Sequence, residues 1–238
     1  MAEFLRSARP AVLGTQEGLV GQLRDMAADL PDGYDWVGQG RRGGTDDEFC
    51  AVFFDTGLVE PLKVSHGWLS DTPEVAGSTG WGNSLPRMFT AVTFRDRDSG
   101  SEFDLVNTHL DHQSAKARLA SARMLQDRAR QSIRAGRPVV VLGDFNADAE
   151  RSPEYQLLID TPLQDSHLVA GTGQQIGTVN GYGPPGPGPR IDWILTGPGV
   201  EVRSAGIVDN GTPGGYASDH LPVQAEIWLP PSRSSLPR

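Results

Sequence analysis

Cysteine occurs once in 238 residues, so no disulfide can close within the chain. That residue, Cys50, lies inside the run Phe49-Cys50-Ala51-Val52-Phe53-Phe54, a setting for a buried structural thiol rather than a nucleophile. Nothing here requires an oxidising compartment. Lysine is almost missing: Lys63 and Lys116 are the only two, and the formal charge is −9. Bulk duplex binding draws on a basic footprint facing the phosphates, so nucleic acid is not the partner that this charge favours. No apolar run reaches the length of a membrane span, and the amino terminus has no basic-then-apolar leader pattern. For the chain as given, the expectation is a cytoplasmic location. No internal repeat and no break in composition divide it, so residues 1–230 are expected to form one domain, followed by a flexible tail over 231–238.

What the chain does have is a buried-strand pattern that ends in polar groups. Val139-Val140-Val141-Leu142 is unbroken, apolar and β-branched, and Gly143 is expected to end it in a turn. Asp144 and Asn146 then stand two residues apart on one side, with Phe145 on the other as a wall of the core. Hard oxygen groups at the end of a buried strand suit a divalent cation or an attacking water. The alternative is a turn in which Asp144 and Asn146 satisfy only their own backbone.

Residues 2–9 read as a short helix stopped by Pro10, and residues 11–17 as a strand ending in Glu17. A helix through Leu19, Leu23 and Leu30 follows, so Glu17 sits at a junction where a helix dipole would also favour an acid. A polar, glycine-rich loop over 41–48 delivers the strand 50–54, and residues 58–68 contain another. Arg87 opens a strand over 88–94 that pairs as a hairpin with 103–109, leaving His109 at its end beside Asp111 and His112. Residues 114–135 give the clearest helix, with Gly136 placed to cap it and five arginines read as a solvated face. A short helix is expected over 152–159. The loop 171–189 is too long for idle packing. Residues 190–195 form a strand with Asp192 and Ile194 on one face, and Ser218-Asp219-His220 leads into the last strand.

In chain order the strand-end groups are Glu17, His109, Asp144 with Asn146, Asp192, and Asp219 with His220. This set resembles the endonuclease/exonuclease/phosphatase superfamily from about Val12 to Trp228. Gly143-Asp144-Phe145-Asn146 followed by Ser218-Asp219-His220 is its specific part. The resemblance implies an α/β fold, a four-layer sandwich of two facing mixed sheets flanked by helices, and metal-dependent phosphoester hydrolysis. It implies metal binding by Glu17 and Asp219, with Mg²⁺ the expected ion and Mn²⁺ a substitute. Asp144 matches the group that orients or deprotonates water, and Asn146 the one that holds phosphate or metal. His109 and His220 match the active-site histidines, paired with Glu48 and Asp192, which would raise their pKa values. Arg87 matches an arginine near the phosphate. The loop carrying Asn180 and Tyr182 matches a substrate-side loop.

The expected substrate is a small or lipid-like phosphoester. The alternatives are a Mg²⁺-dependent endo- or exonuclease, and a catalytically impaired binding module with the same fold. One departure stands out. The similar proteins begin with a core strand, whereas this sequence begins at what resembles the helix after it, as if the native chain started upstream of Met1. The expectation is a gap in the first sheet and self-association through it.

Overall fold

The computed structural model describes residues 2–171 and 176–231, so the tail expected over 231–238 lies, beyond Pro231, outside the described residues. Helix α1 (Ala2–Ala8) leads into strand β1 (Val12–Gly18), helix α2 (Val20–Asp29) and strands β2 (Tyr34–Val37), β3 (Phe49–Asp55) and β4 (Val59–Trp68). Strands β5 (Met88–Asp96) and β6 (Glu102–His109) follow, then helix α3 (Ala115–Arg134) and strand β7 (Val139–Asp144). The chain continues through α4 (Pro153–Ile159), β8 (Gln164–Asp165), α5 (Ser166–Ala170), β9 (Asp192–Thr196), β10 (Glu201–Ile207) and β11 (Val223–Trp228).

Six strands form one mixed sheet in the order β4-β5-β6-β7-β9-β8. The β5–β6 hairpin is antiparallel, as its alternation and charged turn predict. Strands β6 and β7 are parallel because α3 carries the chain back across the sheet between them. Ser114 caps α3 by accepting a 3.1 Å bond from the Ala117 amide, and Ala122, Leu125 and Ala129 bury its inner stripe. Two of its five arginines depart from the expected solvated face. The Arg128 guanidinium lies 4.7 Å from the Phe89 ring centre and reaches Ser65 Oγ at 2.8 Å. Arg118 donates to the Asp111 carbonyl at 3.0 Å. Long cationic stems cover apolar surface while their heads find acceptors at its margin.

Facing the six-stranded sheet is a layer in two pieces, β2-β3-β1 and β10-β11. Strand β3 packs over β5 and β6, β1 over β6 and β7, and β11 over β9. Both pieces are purely antiparallel, so only one of the two facing sheets is mixed, not both. Among the described residues β1 pairs only with β3 and β11 only with β10, which leaves one unpaired edge on each. Leu142 and Ile194, register partners on β7 and β9, face this layer and are only partly buried.

Strand β7 runs two residues further than expected, through Gly143 and Asp144, instead of turning at the glycine. Gly143 has φ +142°, and a Cβ there would collide with the Thr108 carbonyl of the parallel neighbour. The glycine permits close strand approach right up to the functional end of the sheet. Phe145 is fully buried, stacked on Trp193 at 4.1 Å and 11°. Burying a side chain of that size contributes about 1.5–3 kcal/mol and ties the end of β7 to the core.

Candidate active site

Sheet register assembles the centre of the site. His109 is the cross-strand partner of Asp144, and Asp144 is the partner of Asp192, so three polar groups from β6, β7 and β9 form one row. His109 Nε2 lies 3.5 Å from Asp144 Oδ2. His220, on the segment before β11, reaches into this row, with Nδ1 2.9 Å from Asp192 Oδ2. The bridge between Val179 and His220 holds that segment in place. Thr178 Oγ1 accepts from the backbone amides of Ile191 and Asp192, which anchors the same loop to the start of β9.

Glu17 arrives from the facing layer. The β1–β3 register slips between Thr15 and Gly18, and Glu17 has φ +62°, so a bulge in β1 turns its carboxylate toward the six-stranded sheet. The preceding Gln16 is fixed by a 2.7 Å bond from its Nε2 to Asn107 Oδ1. Glu17 Oε1 stands 3.8 Å from His109 Nε2, with its side chain largely open to solvent. Asn146 also has a left-handed backbone, φ +47°. Strain of this kind in two non-glycine residues of one site persists only where neighbouring contacts enforce it.

Among the described residues two groups of three could hold a metal ion, Glu17, Glu48 and His109, and Asp144, Asp192 and His220. Within each, one donor atom per residue lies within 4.8 Å of the others. Burial, then the neighbouring Asp192 charge, raises the Asp144 carboxyl to about 7. Such a buried carboxylate pair calls for positive charge, which His220 supplies, while the carboxylates of Glu17 and Glu48 are hard oxygen donors that fit a divalent cation. Burial opposes the charging of His220. The Asp192 hydrogen bond and the charges of Asp192, Asp144 and Asp219 overcome it and bring His220 to about 9. Burial, and then the Arg87 and Arg41 cations, push His109 well below the usual imidazole value.

His109 therefore departs from the expectation. Glu48 was to hold it and raise its pKa, but Glu48 Oε2 instead accepts from Arg41 Nη1 at 2.7 Å. The carboxylate closest to His109 is that of Asp144. Arg87 is buried rather than displayed. Its Nη1 lies 3.1 Å from Nδ1 and 3.0 Å from Nε2 of His109. A nitrogen equidistant from both ring nitrogens stands over the ring face, in line with neither lone pair. Its Nη2 lies 2.7 Å from His112 Nδ1 and its Nε 3.5 Å from Asp111 Oδ2.

The remaining expected residues are spread around this centre. Asn146 donates its backbone amide to Asp144 Oδ1 at 2.7 Å and its side-chain amide to the Leu110 carbonyl at 3.1 Å, so the Asx-type turn is formed as well. Asp219 belongs to neither three-ligand group, while Glu17 is grouped with Glu48. The Asp219 carbonyl accepts from the amides of Asn180 and Gly181, and its carboxylate acts on His220. Asn180 Nδ2 is tied to the Gly183 carbonyl at 2.7 Å, and Tyr182 is exposed with φ +63°. Arg41 was not anticipated as part of the site. The acidic run Asp46-Asp47-Glu48 shortly after it was the signal, because a buried arginine needs such partners.

Comparison with known proteins identifies relatives of the whole fold. No curated protein matches the chain. A protein of the endonuclease/exonuclease/phosphatase family from Bacteroides thetaiotaomicron is 32% identical with a TM-score of 0.87, covering 95% of this chain and 84% of its own. A mannosyl-6-phosphatase from the same organism is 32% identical with a TM-score of 0.86, covering 96% and 89%. The human Nocturnin catalytic domain, solved with a sulfate anion, shares the fold at 22% identity with a TM-score of 0.75, covering 95% and 84%. The model of the Endonuclease/Exonuclease/phosphatase family matches residues 1–220, so this chain belongs to that family and is a metal-dependent phosphoester hydrolase.

Proposed function

We propose that the chain hydrolyses a small, polar phosphoester, a phosphate monoester foremost, with Mg²⁺ as its ion and Mn²⁺ as a working substitute. The observation that carries this reading is the row Asp144–Asp192–His220, which sets a carboxyl near 7 beside an imidazole near 9. Near neutrality such a pair offers a proton acceptor and a proton donor together. The 32% identity with a mannosyl-6-phosphatase supports a phosphorylated small molecule. The charge of −9 makes a polyanionic strand or an anionic membrane surface a poorer substrate.

Glu17 and Glu48, with His109 beside them, are the groups that would hold the ion, and Asp219 has a lesser part than the sequence implied. Bound there, the ion supplies positive charge opposite the phosphoryl oxygens. Asp144, fixed by Asn146, orients the attacking water and takes its proton. His220, held in one tautomer by Asp192, presents Nε2–H to the phosphoryl or leaving oxygen. Arg87 acts by holding His109, and Tyr182 and Asn180 line the substrate side.

The test is a panel under Mg²⁺ and Mn²⁺: p-nitrophenyl phosphate, mannose 6-phosphate, bis(p-nitrophenyl) phosphate, sphingomyelin, supercoiled plasmid and single-stranded oligonucleotide. The expected result is metal-dependent phosphate release from the monoesters with the nucleic acids intact. Plasmid nicking without turnover of any small ester overturns the substrate class. No turnover of anything favours a binding module.

A further inference from the structure

The segment between β6 and α3 carries a second imidazole that the roles above leave unused. His112 is exposed, whereas the arginine that contacts it, Arg87, is 5% exposed. One guanidinium spans both histidines, with Nη1 over the His109 ring and Nη2 2.7 Å from His112 Nδ1. His112 therefore stands one guanidinium and its two contacts away from His109, at the exposed margin of the site. The backbone between them is also pinned, because the Leu110 carbonyl accepts from Asn146 Nδ2 and Asp111 Oδ1 accepts from the amides of Gln113 and Ser114.

A guanidinium can only donate, so the nitrogen it meets must present a lone pair. His112 Nδ1 is that acceptor, and the ring hydrogen is placed on Nε2. The arginine charge on the far nitrogen makes this N–H a stronger donor, as charge assistance strengthens any hydrogen bond in line with it. A buried cation thus acts at the surface through the ring.

We propose that His112 is a substrate-binding residue, whose Nε2–H grips a non-reacting phosphoryl oxygen of the phosphoester, with Arg87 as the positioning residue that locks its tautomer. The inference deepens the reading of this site as a phosphoester pocket and rests on it. It differs in assigning phosphate recognition to His112, where the sequence pointed to Arg87.

The experiment uses orthophosphate as the probe on the full chain with Mg²⁺. Long-range nitrogen–proton spectra of uniformly ¹⁵N-labelled protein report each imidazole tautomer without any ligand. The expected spectrum shows His112 with its hydrogen on Nε2, shifting as phosphate is titrated in. By calorimetry, His112→Ala weakens orthophosphate binding about tenfold or more, the size of one charge-assisted hydrogen bond. His112→Gln, whose amide can both accept from Arg87 and donate outward, recovers most of it. Mg²⁺ affinity stays the same in both variants. A His112 hydrogen on Nδ1, or phosphate binding that His112→Ala leaves untouched, overturns the assignment alone. Failure of the wild type to bind orthophosphate overturns the phosphoester reading together with it.

Discussion

Asp192 and His220 are joined by a 2.9 Å contact between Oδ2 and Nδ1, across 28 residues of chain. This contact ties the segment before β11 to the row on the six-stranded sheet and gives His220 its high pKa. Asp192→Asn keeps the shape and removes the charge. The imidazole then titrates far below 9, and hydrolysis falls by about 10²–10⁴, the usual worth of a positioned proton donor. The sign of the pH effect on stability is fixed as well. A folded-state value of about 9 against 6.5 means that the pair stabilises the fold fully below about pH 6.5, and that the contribution is lost as pH rises through 9. Thermal melts of the metal-free protein should show this decline between pH 6.5 and 9, and Asp192→Asn should flatten it. An unchanged slope in the variant would place the source elsewhere.

Asp144 also costs stability as pH rises, but because the fold disfavours its charged form. Its carboxyl is raised from 3.8 to about 7, first by burial and then by Asp192, so its ionisation works against the fold as pH climbs through that range. In Asp144→Asn the side-chain oxygen can still accept from the Asn146 amide, while the new NH₂ donates toward Asp192. The metal-free variant should melt higher than wild type at pH 8, by roughly 2–4 °C for each kcal/mol relieved in a chain of this size. Hydrolysis should drop by about 10² or more. A variant that melts lower at pH 8 would show that the carboxylate is not held against its own charge.

How far the sequence reaches is visible in the residues of this row. Asp144, Asp192, His109 and His220 are legible because each stands where an apolar run ends, and register then brings three of them into line. The partners of His109 were not legible. Arg41 comes from a loop between β2 and β3, and Arg87 from the start of β5, and no local pattern tells which ring a distant guanidinium will cover. Strand β2 (Tyr34–Val37) was missed because four residues carry too little periodicity, and its pairing with β3 decides its state. Gly143 was read as a turn since glycine usually marks one. Here the crowding against Thr108 on the parallel neighbour is what requires it.

Arg41 governs Glu48. The arginine donates to Glu48 Oε2 at 2.7 Å, pairs with Asp47 at 2.9 Å, and accepts from Trp68 Nε1 on its own carbonyl at 2.5 Å. Burial, with Glu17 and Asp47 nearby, raises the Glu48 pKa, and Arg41, more than Arg87, opposes it. Removing this outer partner in Arg41→Ala should cost about 10–100-fold in Mn²⁺ or Mg²⁺ affinity, read by calorimetry, with Arg41→Lys recovering part of it. Equal affinity in wild type and Arg41→Ala would remove Glu48 from the ion site.

The last prediction concerns the split facing layer. Strands β1 and β11 each have an edge without a strand partner among the described residues, and Leu142 and Ile194 on the strands they cover are only partly buried. Unpaired N–H and C=O groups beside apolar side chains are a template for another strand. The chain should therefore self-associate as its concentration rises through the μM–mM range, read as a rising average mass in sedimentation. Ile194→Lys puts a charge on the floor of the gap, which penalises any strand that buries it, and should shift the profile toward monomer. A monomer mass throughout the series for the wild type would mean that water alone satisfies both edges.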